Sequence, residues 1–558
     1  MAPHESNEKP SVRQVPLWRL VWDQALILPE VRDHHYPGSG TDIDPYRVWW
    51  IPNDARNPIS FSSGRKWFIT SLVTSSTFGV ALVSSAFTGG SATIMAEFHI
   101  NHEVANLGVS LFVLGFALGP LLWAPLSEMF GRQKLFIVTY SAMTAFIACT
   151  TAAQDIQTIL VLRFFAGAFG SSPLTNAGGV VADMFAPSQR GLAMALFASA
   201  PFLGPVVGPI VGGFLGMSAG WRWVLGLLAT VSGVLWILGA LMIPETYTPV
   251  LVRRRAEELS RINGKVYLSQ LDVEKPPAKL CLAFKIALSR PWKLLFREPI
   301  VFLFSAYLAL IYGTLYMLFA AYPIIYQQHF GWNQGIGGLP FLGVLVGMIL
   351  ALLYTILDNK RYVQIVQENG GQATPEARLP PCIIGGVVIP VGLFWFAWTN
   401  SPSIHWISSV LSGVGFGFGM VLVFLSVLNY LIDTYTIYAA SVLAASAFTR
   451  SLFGAAFPLF TDQMFQNLGL HWAASVPAFL SVACVPFPVI LYIYGEKIRK
   501  RCRYGTKEEI FMHHTRHENL EQPVAESSEN QDPGGCPSRL DRESRSLFDA
   551  DRVNAPER

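Results

Sequence analysis

Chemistry in this sequence would fall to a small set of charged residues placed among long apolar stretches. Arg163 stands about two turns inside one stretch, on a face shared with Gly167 and Gly170. Arg450 stands deeper still, about twelve residues from either end of another. A charge at such depth costs on the order of 3 kcal/mol on insertion scales and must find water or a partner. Two arginines facing one cavity would attract anionic groups or raise the acidity of their neighbours. Arg163 could instead snorkel to the nearer interface. The carboxylates stand at the ends of the stretches: Glu97, Glu128, Asp183, Glu245, Asp433 and Asp462. The first stretch has no Asp or Glu between Trp67 and Met95.

Three patterns surround these charges. After the second stretch comes Ala124-Pro125-Leu126-Ser127-Glu128-Met129-Phe130-Gly131-Arg132-Gln133-Lys134. A carboxylate such as Glu128 at a helix end, beside a tight turn at Gly131 followed by Arg132, can form a charge lock that holds one state of a moving assembly. It can equally be a basic anchor with no gating role. In the fifth stretch Gly204, Gly208 and Gly212 recur every four residues, a flat strip that a neighbouring backbone can approach closely. Pro201, Pro205 and Pro209 form a second strip beside it. Each proline lacks an N–H and clashes with the carbonyl four residues back, so this helix should be bent and soft while its glycine face slides or seals against another. In the seventh stretch Tyr312, Tyr316, Phe319 and Tyr326 recur at helical spacing. A tyrosine hydroxyl in lipid needs a partner, so Tyr312, Tyr316 and Phe319 are expected to look into a cavity. Tyr326 faces either the cavity or the interface.

The stretches themselves set the architecture. The chain has 558 residues, 52% hydrophobic and only 14% charged, against roughly 25% charged in soluble domains. About 20 apolar residues span a bilayer core. Twelve such segments can be read, roughly 67–95, 105–127, 134–153, 156–182, 190–215, 221–243, 299–326, 336–357, 380–400, 404–432, 438–461 and 473–494. An open strand would leave backbone groups unpaired in lipid, so the expectation is an all-α membrane protein with twelve transmembrane helices. A shift of 250 residues places Asp183 on Asp433, Gly167 on Gly417 and Gly204 on Gly454, which fits two repeated six-helix bundles. The expected segments are a polar 1–65, a bundle over 66–243, a basic linker over 244–298, a bundle over 299–495 and a largely disordered tail over 496–558, whose part from about Glu518 onward cannot bury enough apolar surface to fold alone. Lys and Arg gather on alternate loops and both terminal segments, while the opposite loops hold only Arg222. Both termini are therefore expected in the cytoplasm. A net charge of +3 implies no nucleic-acid partner, and six scattered cysteines with no C-x-x-C pair suggest neither a metal knot nor a disulfide frame.

The turn from Glu128 to Lys134, Arg163 with Gly167, and the run from Gly204 to Gly213 resemble the major facilitator superfamily, specifically its fungal twelve-helix drug:proton antiporters, over about residues 45–505. The family's loop usually reads Gly-x-x-x-Asp-Arg-x-Gly-Arg-Arg. Here Ala124, Glu128, Met129 and Gln133 depart from it, while Gly131 and Arg132 are retained. Pro244-Glu245-Thr246-Tyr247, Gly331-Trp332-Asn333 and Arg450-Ser451 look like the fungal branch. The resemblance implies two pseudo-symmetric six-helix bundles, alternating access, and export of drugs, toxins or secondary metabolites across the plasma membrane. The proton gradient would supply the energy, with no cofactor, and a monomer in membrane lipid is expected. With the patterns above, it assigns gating to Glu128, Gly131, Arg132, Gly204, Pro205, Gly208, Pro209 and Gly212. Proton coupling falls to Arg163, Asp183 and Asp433, and the substrate cavity to Tyr312, Tyr316, Phe319 and Arg450.

A polyamine transporter, nutrient importer or facilitator has the same fold and is the alternative. The glycine–proline helix and the lack of a Gln- and Asn-rich cavity argue against sugars, and the shortage of intramembrane carboxylates against polyamines. An embedded enzyme would need nucleophiles, paired carboxylates or His ligands in one layer. His329, His405 and His471 fall in predicted outer loops, not on one helix.

Overall fold

The computed structural model describes residues 15–185, 189–274, 280–368, 374–500 and 502. Its helices follow the apolar stretches. The first half holds α1 (Ser63–Ala86, continued through a tight turn into Ser91–Phe98), α2 (His102–Phe130), α3 (Arg132–Thr151), α4 (Ile156–Met184), α5 (Arg190–Ala219) and α6 (Trp221–Met242). The second holds α7 (Pro299–Tyr322, continued as a π turn over Pro323–His329), α8 (Phe341–Glu368), α9 (Pro380–Thr399) and α10 (Trp406–Thr434). Among the described residues eleven helical runs are long and apolar enough to cross a membrane, the last being Ala439–Arg499. That run is two spans in series. Gly469, at φ +75° and ψ 171°, breaks it into α11 (439–468) and α12 (470–484, continued by Pro486–Arg499). The expected twelve are therefore present. Gly131 (φ 94°, ψ 163°) makes the same one-residue turn between α2 and α3. A side chain is strained at such angles, so glycine lets one span follow another without a loop.

The two halves repeat each other's packing. In the first, α1 packs on α5, α2 on α4 and α3 on α6. Six helices later, α7 packs on α11, α8 on α10 and α9 on α12. Between the halves, α2 meets α11 and α5 meets α8. Advancing each partner by six helices exchanges these two contacts, which is the signature of a two-fold relation between bundles. Hydrogen bonds that join the halves gather at the face away from the termini. Asn106 Nδ2 donates to Asp462 Oδ2 at 3.0 Å, and Gln463 Nε2 to Glu103 Oε1 at 3.0 Å. Gln334 Nε2 donates to the Gly89 carbonyl, and Gly338 packs on the Pro209 carbonyl. The halves are thus closed against each other at this far face.

The face that carries the termini has a structure that the polarity of its segments does not announce. Residues 15–61 and the linker after α6 fold together. β1 (Tyr46–Val48) pairs in parallel with β2 (Tyr267–Ser269). The linker helix Thr248–Asn263 sets Val252, Ala256 and Leu259 against Tyr36 and Val48 in a small apolar core. Beside it Arg255 donates two hydrogen bonds to Asp54, and both side chains are 1% exposed. Trp50 lies against the same guanidinium at 4.8 Å. Arg56, fully buried, donates to the Glu245 carbonyl at 3.0 Å. Burial pulls its pKa down to about 10, so it stays charged at neutral pH. Residues 503–558, including the acidic, Ser-rich stretch expected not to fold alone, lie outside the described residues.

Removing one partner of a buried ion pair leaves the other uncompensated, a loss of about 3–5 kcal/mol, whereas replacing both by apolar groups is often near neutral. Asp54→Ala should therefore lower the melting temperature of the purified protein and expose residues 15–61 to protease. The double change Asp54→Ala with Arg255→Met should recover part of the loss. Equal resistance of Asp54→Ala and the parent chain would mean that this segment does not hold the linker.

Candidate functional site

Charge on the terminal face converges on the α2–α3 turn. Because Gly131 has no side chain, the Glu245 carboxylate from the end of α6 sits directly on it, and a Cβ there would fall 2.1 Å from Glu245 Oε2. Glu245 Oε1 accepts from the backbone N–H groups of Arg132 (3.0 Å), Thr246 (3.0 Å) and Tyr247 (2.9 Å), and Oε2 from that of Gln133 (3.2 Å). Three of the four lie at helix starts, where unpaired N–H groups favour an anion. Arg132 donates from Nη1 to Ser127 Oγ at 2.6 Å and pairs through Nε with Asp183 Oδ2 at 3.7 Å, an ion pair longer than a hydrogen bond. Thr246 Oγ1 donates to Asp183 as well, at 3.2 Å. Glu128, where the lock was expected, interacts electrostatically with Arg132 without a hydrogen bond to it. Glu128 is exposed on α2, and Glu245 occupies the turn. Its signal in the sequence was a carboxylate at the end of an apolar span that begins a Pro-Glu-Thr run.

The second half builds a counterpart. Arg378, just before α9, pairs with Asp433 at the end of α10 at 3.0 Å and lies over the Tyr362 ring at 3.4 Å. Arg132 lies over the Tyr247 ring in the same way at 4.8 Å. Arg499 at the end of α12 reaches Glu376 beside that turn at 3.2 Å, as Glu245 at the end of α6 reaches Gly131. Each expected proton-coupling aspartate therefore stands at a helix end against an arginine of the preceding turn. Arg378 carried no signal beyond its place in a basic loop.

The glycine strip of α5 packs on α1 of its own half. A Cβ at Gly204 would lie 2.5 Å from Ala81 Cβ, at Gly208 2.7 Å from the Ala86 nitrogen, and at Gly212 2.2 Å from the Ala86 oxygen. Pro205 and Pro209 are buried beside it, and the Pro209 carbonyl meets Gly338 of the second half. One helix therefore carries both an intrabundle seal and a contact across the seam.

At mid-depth the halves meet through aromatic rings. Phe202 of α5 packs edge-on against Phe424 of α10, with ring centroids 4.3 Å apart, and lies 6.4 Å from Tyr312. Tyr312 OH donates to Tyr316 OH at 3.3 Å, and Tyr316 OH bonds Ser84 Oγ of α1 at 2.9 Å. Phe319 packs edge-on against Tyr316 at 5.0 Å. The Arg450 guanidinium lies 4.9 Å from the ring centres of both Tyr312 and Phe424. Three of the four expected cavity residues are joined in one cluster around the fourth, and Phe202, Phe424 and Ser84 enlarge it. These three lie in apolar runs with nothing in type or spacing to separate them from packing residues. Tyr326 is buried within the second half, bonded to Ser409 Oγ at 2.9 Å. Arg163 is elsewhere. It lies between α1, α2 and α4, buried, and donates to the carbonyls of Gly108, Val83 and Ser84 at 2.6, 3.2 and 3.1 Å. It neither snorkels nor faces the ring cluster.

Two six-helix bundles related by a two-fold, closed at one face and meeting at mid-depth around a polar–aromatic cluster, have the architecture of a membrane transporter. The chain belongs to the Major Facilitator Superfamily, whose family profile matches residues 73–458. It is 61% identical over 529 residues to the Major facilitator superfamily multidrug transporter mdrA of Aspergillus fumigatus, covering 95% of this chain and 87% of that one. It is 59% identical over 543 residues to the MFS-type efflux pump MFS2 of Trichophyton rubrum, covering 97% and 91%. The fold is similar to that of the proton:xylose symporter XylE, solved with 6-bromo-6-deoxy-D-glucose, at TM-score 0.56 and 14% identity over 78% of this chain and 96% of that one.

The α1–α5 seal has no room for side chains. Overpacking of this kind costs about 1–3 kcal/mol or more. Gly212→Val should reduce the yield and melting temperature of folded protein, measured by fluorescence-detected gel filtration. Gly226→Ala on α6, where an added Cβ meets nothing within 4 Å, should leave both unchanged.

Proposed function

We propose that the chain exports small, largely apolar organic molecules across the plasma membrane in exchange for protons, with both termini in the cytoplasm. The observation that carries this reading is the mid-depth cluster of Phe202, Tyr312, Tyr316, Phe319, Phe424 and Arg450, a ring-lined site at the seam between the halves. Flat amphipathic rings suit varied organic substrates and offer few of the directed hydrogen bonds that a sugar requires. The names of the two relatives, a multidrug transporter and an efflux pump, point the same way. The excess of Lys and Arg on the terminal face supports the orientation, and closure at the far face corresponds to a state that loads from the cytoplasm.

Proton coupling is assigned to Asp183 and Asp433. Protonating either carboxylate removes the charge that pairs with Arg132 or Arg378. That frees the turn between two spans to shift, so proton binding and helix movement are linked at each site. Glu128 adds a second carboxylate that acts electrostatically on Arg132 at the same turn. Gly131 and Arg132 hold the turn, and the α5 residues Gly204, Pro205, Gly208, Pro209 and Gly212 form the pliant element between the seal on α1 and the contact with α8. Arg163 acts by bracing three helices rather than by exchanging a proton with a carboxylate.

Efflux from energised cells tests the reading. The panel spans a fungal toxin, an azole and a polyamine, each with and without a proton uncoupler. Export of the toxin or azole that stops with the uncoupler is expected. Export of the polyamine alone would favour the polyamine reading, and transport indifferent to the uncoupler would remove antiport. In the same assay Asp183→Asn and Asp433→Asn should each abolish pH-driven export at normal surface expression. Unchanged proton dependence in both variants would remove these residues from the coupling step.

A further inference from the structure

The two arginines inside the spans differ in what their donors meet. Arg163 spends Nε, Nη1 and Nη2 on three backbone carbonyls, with the Phe87 and Phe112 rings at 4.3 and 4.6 Å. Each of its three nitrogens thus has a backbone acceptor, and it holds α1, α2 and α4 together. Arg450 has the same kind of ring packing, against Tyr312 and Phe424. Among the described residues, however, it shows no hydrogen bond and no ion pair, and its Nε is enclosed with no acceptor. Rings attract a cation through their π faces but do not accept the strong, directed hydrogen bonds that a guanidinium can give. An arginine held at mid-depth in this condition keeps N–H donors that a bound anion can use.

The chemistry of a fitting partner follows from the donor set. A guanidinium offers a planar fork of N–H groups that matches a carboxylate in two-point contact. The walls are apolar and aromatic, namely Phe202, Tyr316 and Phe319 besides the two rings already against the charge. A group that fits both features is an organic acid with a flat apolar body and one ionised carboxylate. An anion here would also sit at the seam. Arg450, Tyr312 and Phe424 belong to the second half, Phe202 and Ser84 to the first, and the hydroxyl chain Tyr312–Tyr316–Ser84 crosses between them.

We propose that Arg450 is the docking group for the carboxylate of the transported molecule, and that the preferred substrates of this exporter are aromatic or conjugated organic acids. This rests on the export reading above and narrows it to a substrate class. Tyr312 and Phe424 position the guanidinium, and Phe202 brings the first half onto the bound ring.

Binding to the full-length protein in lipid nanodiscs at pH 7 tests this directly. The probes are 2-naphthoate, its neutral methyl ester and the cation 2-naphthylmethylamine, measured by isothermal titration calorimetry. A charge-assisted hydrogen-bonded pair is worth about ten- to a hundredfold in affinity, so the acid should bind tighter than the ester by that factor and the amine more weakly than either. Arg450→Gln should bring acid and ester to the same affinity while ester binding persists. Arg450→Lys should keep a reduced preference for the acid. Equal binding of acid and ester by the unsubstituted protein overturns the proposal, and that comparison needs no variant to fold. Retention of the full acid preference in Arg450→Gln overturns it as well. If the ester and amine bind, and are exported from cells, as well as the acid, the substrate class is wrong and the export reading stands. If none of the three binds and no panel compound is exported, both fall.

Discussion

A backbone in lipid has no water to bond, so each span must satisfy its own N–H and C=O groups. This constraint makes every crossing a helix and leaves the helices to associate without a hydrophobic drive between them. Association then depends on how near two backbones can come. The α1–α5 contact shows the consequence: Gly204, Gly208 and Gly212 meet Ala81, Leu82 and Ala86 backbone to backbone. The prolines on the same helix interrupt its internal bonding. A helix that packs this closely within its half therefore also has a weakened hydrogen-bond ladder, and it carries a contact with α8 across the seam.

Charge obeys the same constraint in a different way. Glu245, Asp183 and Asp433 stand at helix ends, where backbone N–H groups or arginines from neighbouring turns receive them. The two arginines within the spans are stabilised differently. Arg163 draws on carbonyls of α1 and α2 and becomes a brace, while Arg450 lies among rings at the seam. Position in the sequence made them look alike. The neighbours brought by other helices made one a structural part and left the other with donors to spend.

The N-terminal segment and the linker show how polarity can conceal order. Both are rich in charge and Pro, Ser or Gly, and neither carries an apolar face large enough to fold alone. Together they bury a small core and the Asp54–Arg255 pair. The linker helix, held by this core, starts three residues after Glu245, whose carbonyl Arg56 also binds. The cap is thus physically continuous with the α2–α3 turn.

The sequence by itself determined the class, the number of spans, the repeat and the glycine–proline fifth helix. All of these depend on local composition and spacing: about twenty apolar residues cross a bilayer whatever their neighbours, and a glycine or proline acts on its own backbone. It also marked Asp183, Asp433, Tyr312, Tyr316 and Arg450, because polar groups within or beside apolar runs stand out. The tertiary structure alone decided partners. Glu245 rather than Glu128 fills the Gly131 turn, Arg378 rather than another basic loop residue meets Asp433, and Phe202 with Phe424 closes on Arg450. Those choices depend on the rotation of each helix about its axis and on contacts between residues on different helices, far apart in the chain, which no local pattern encodes.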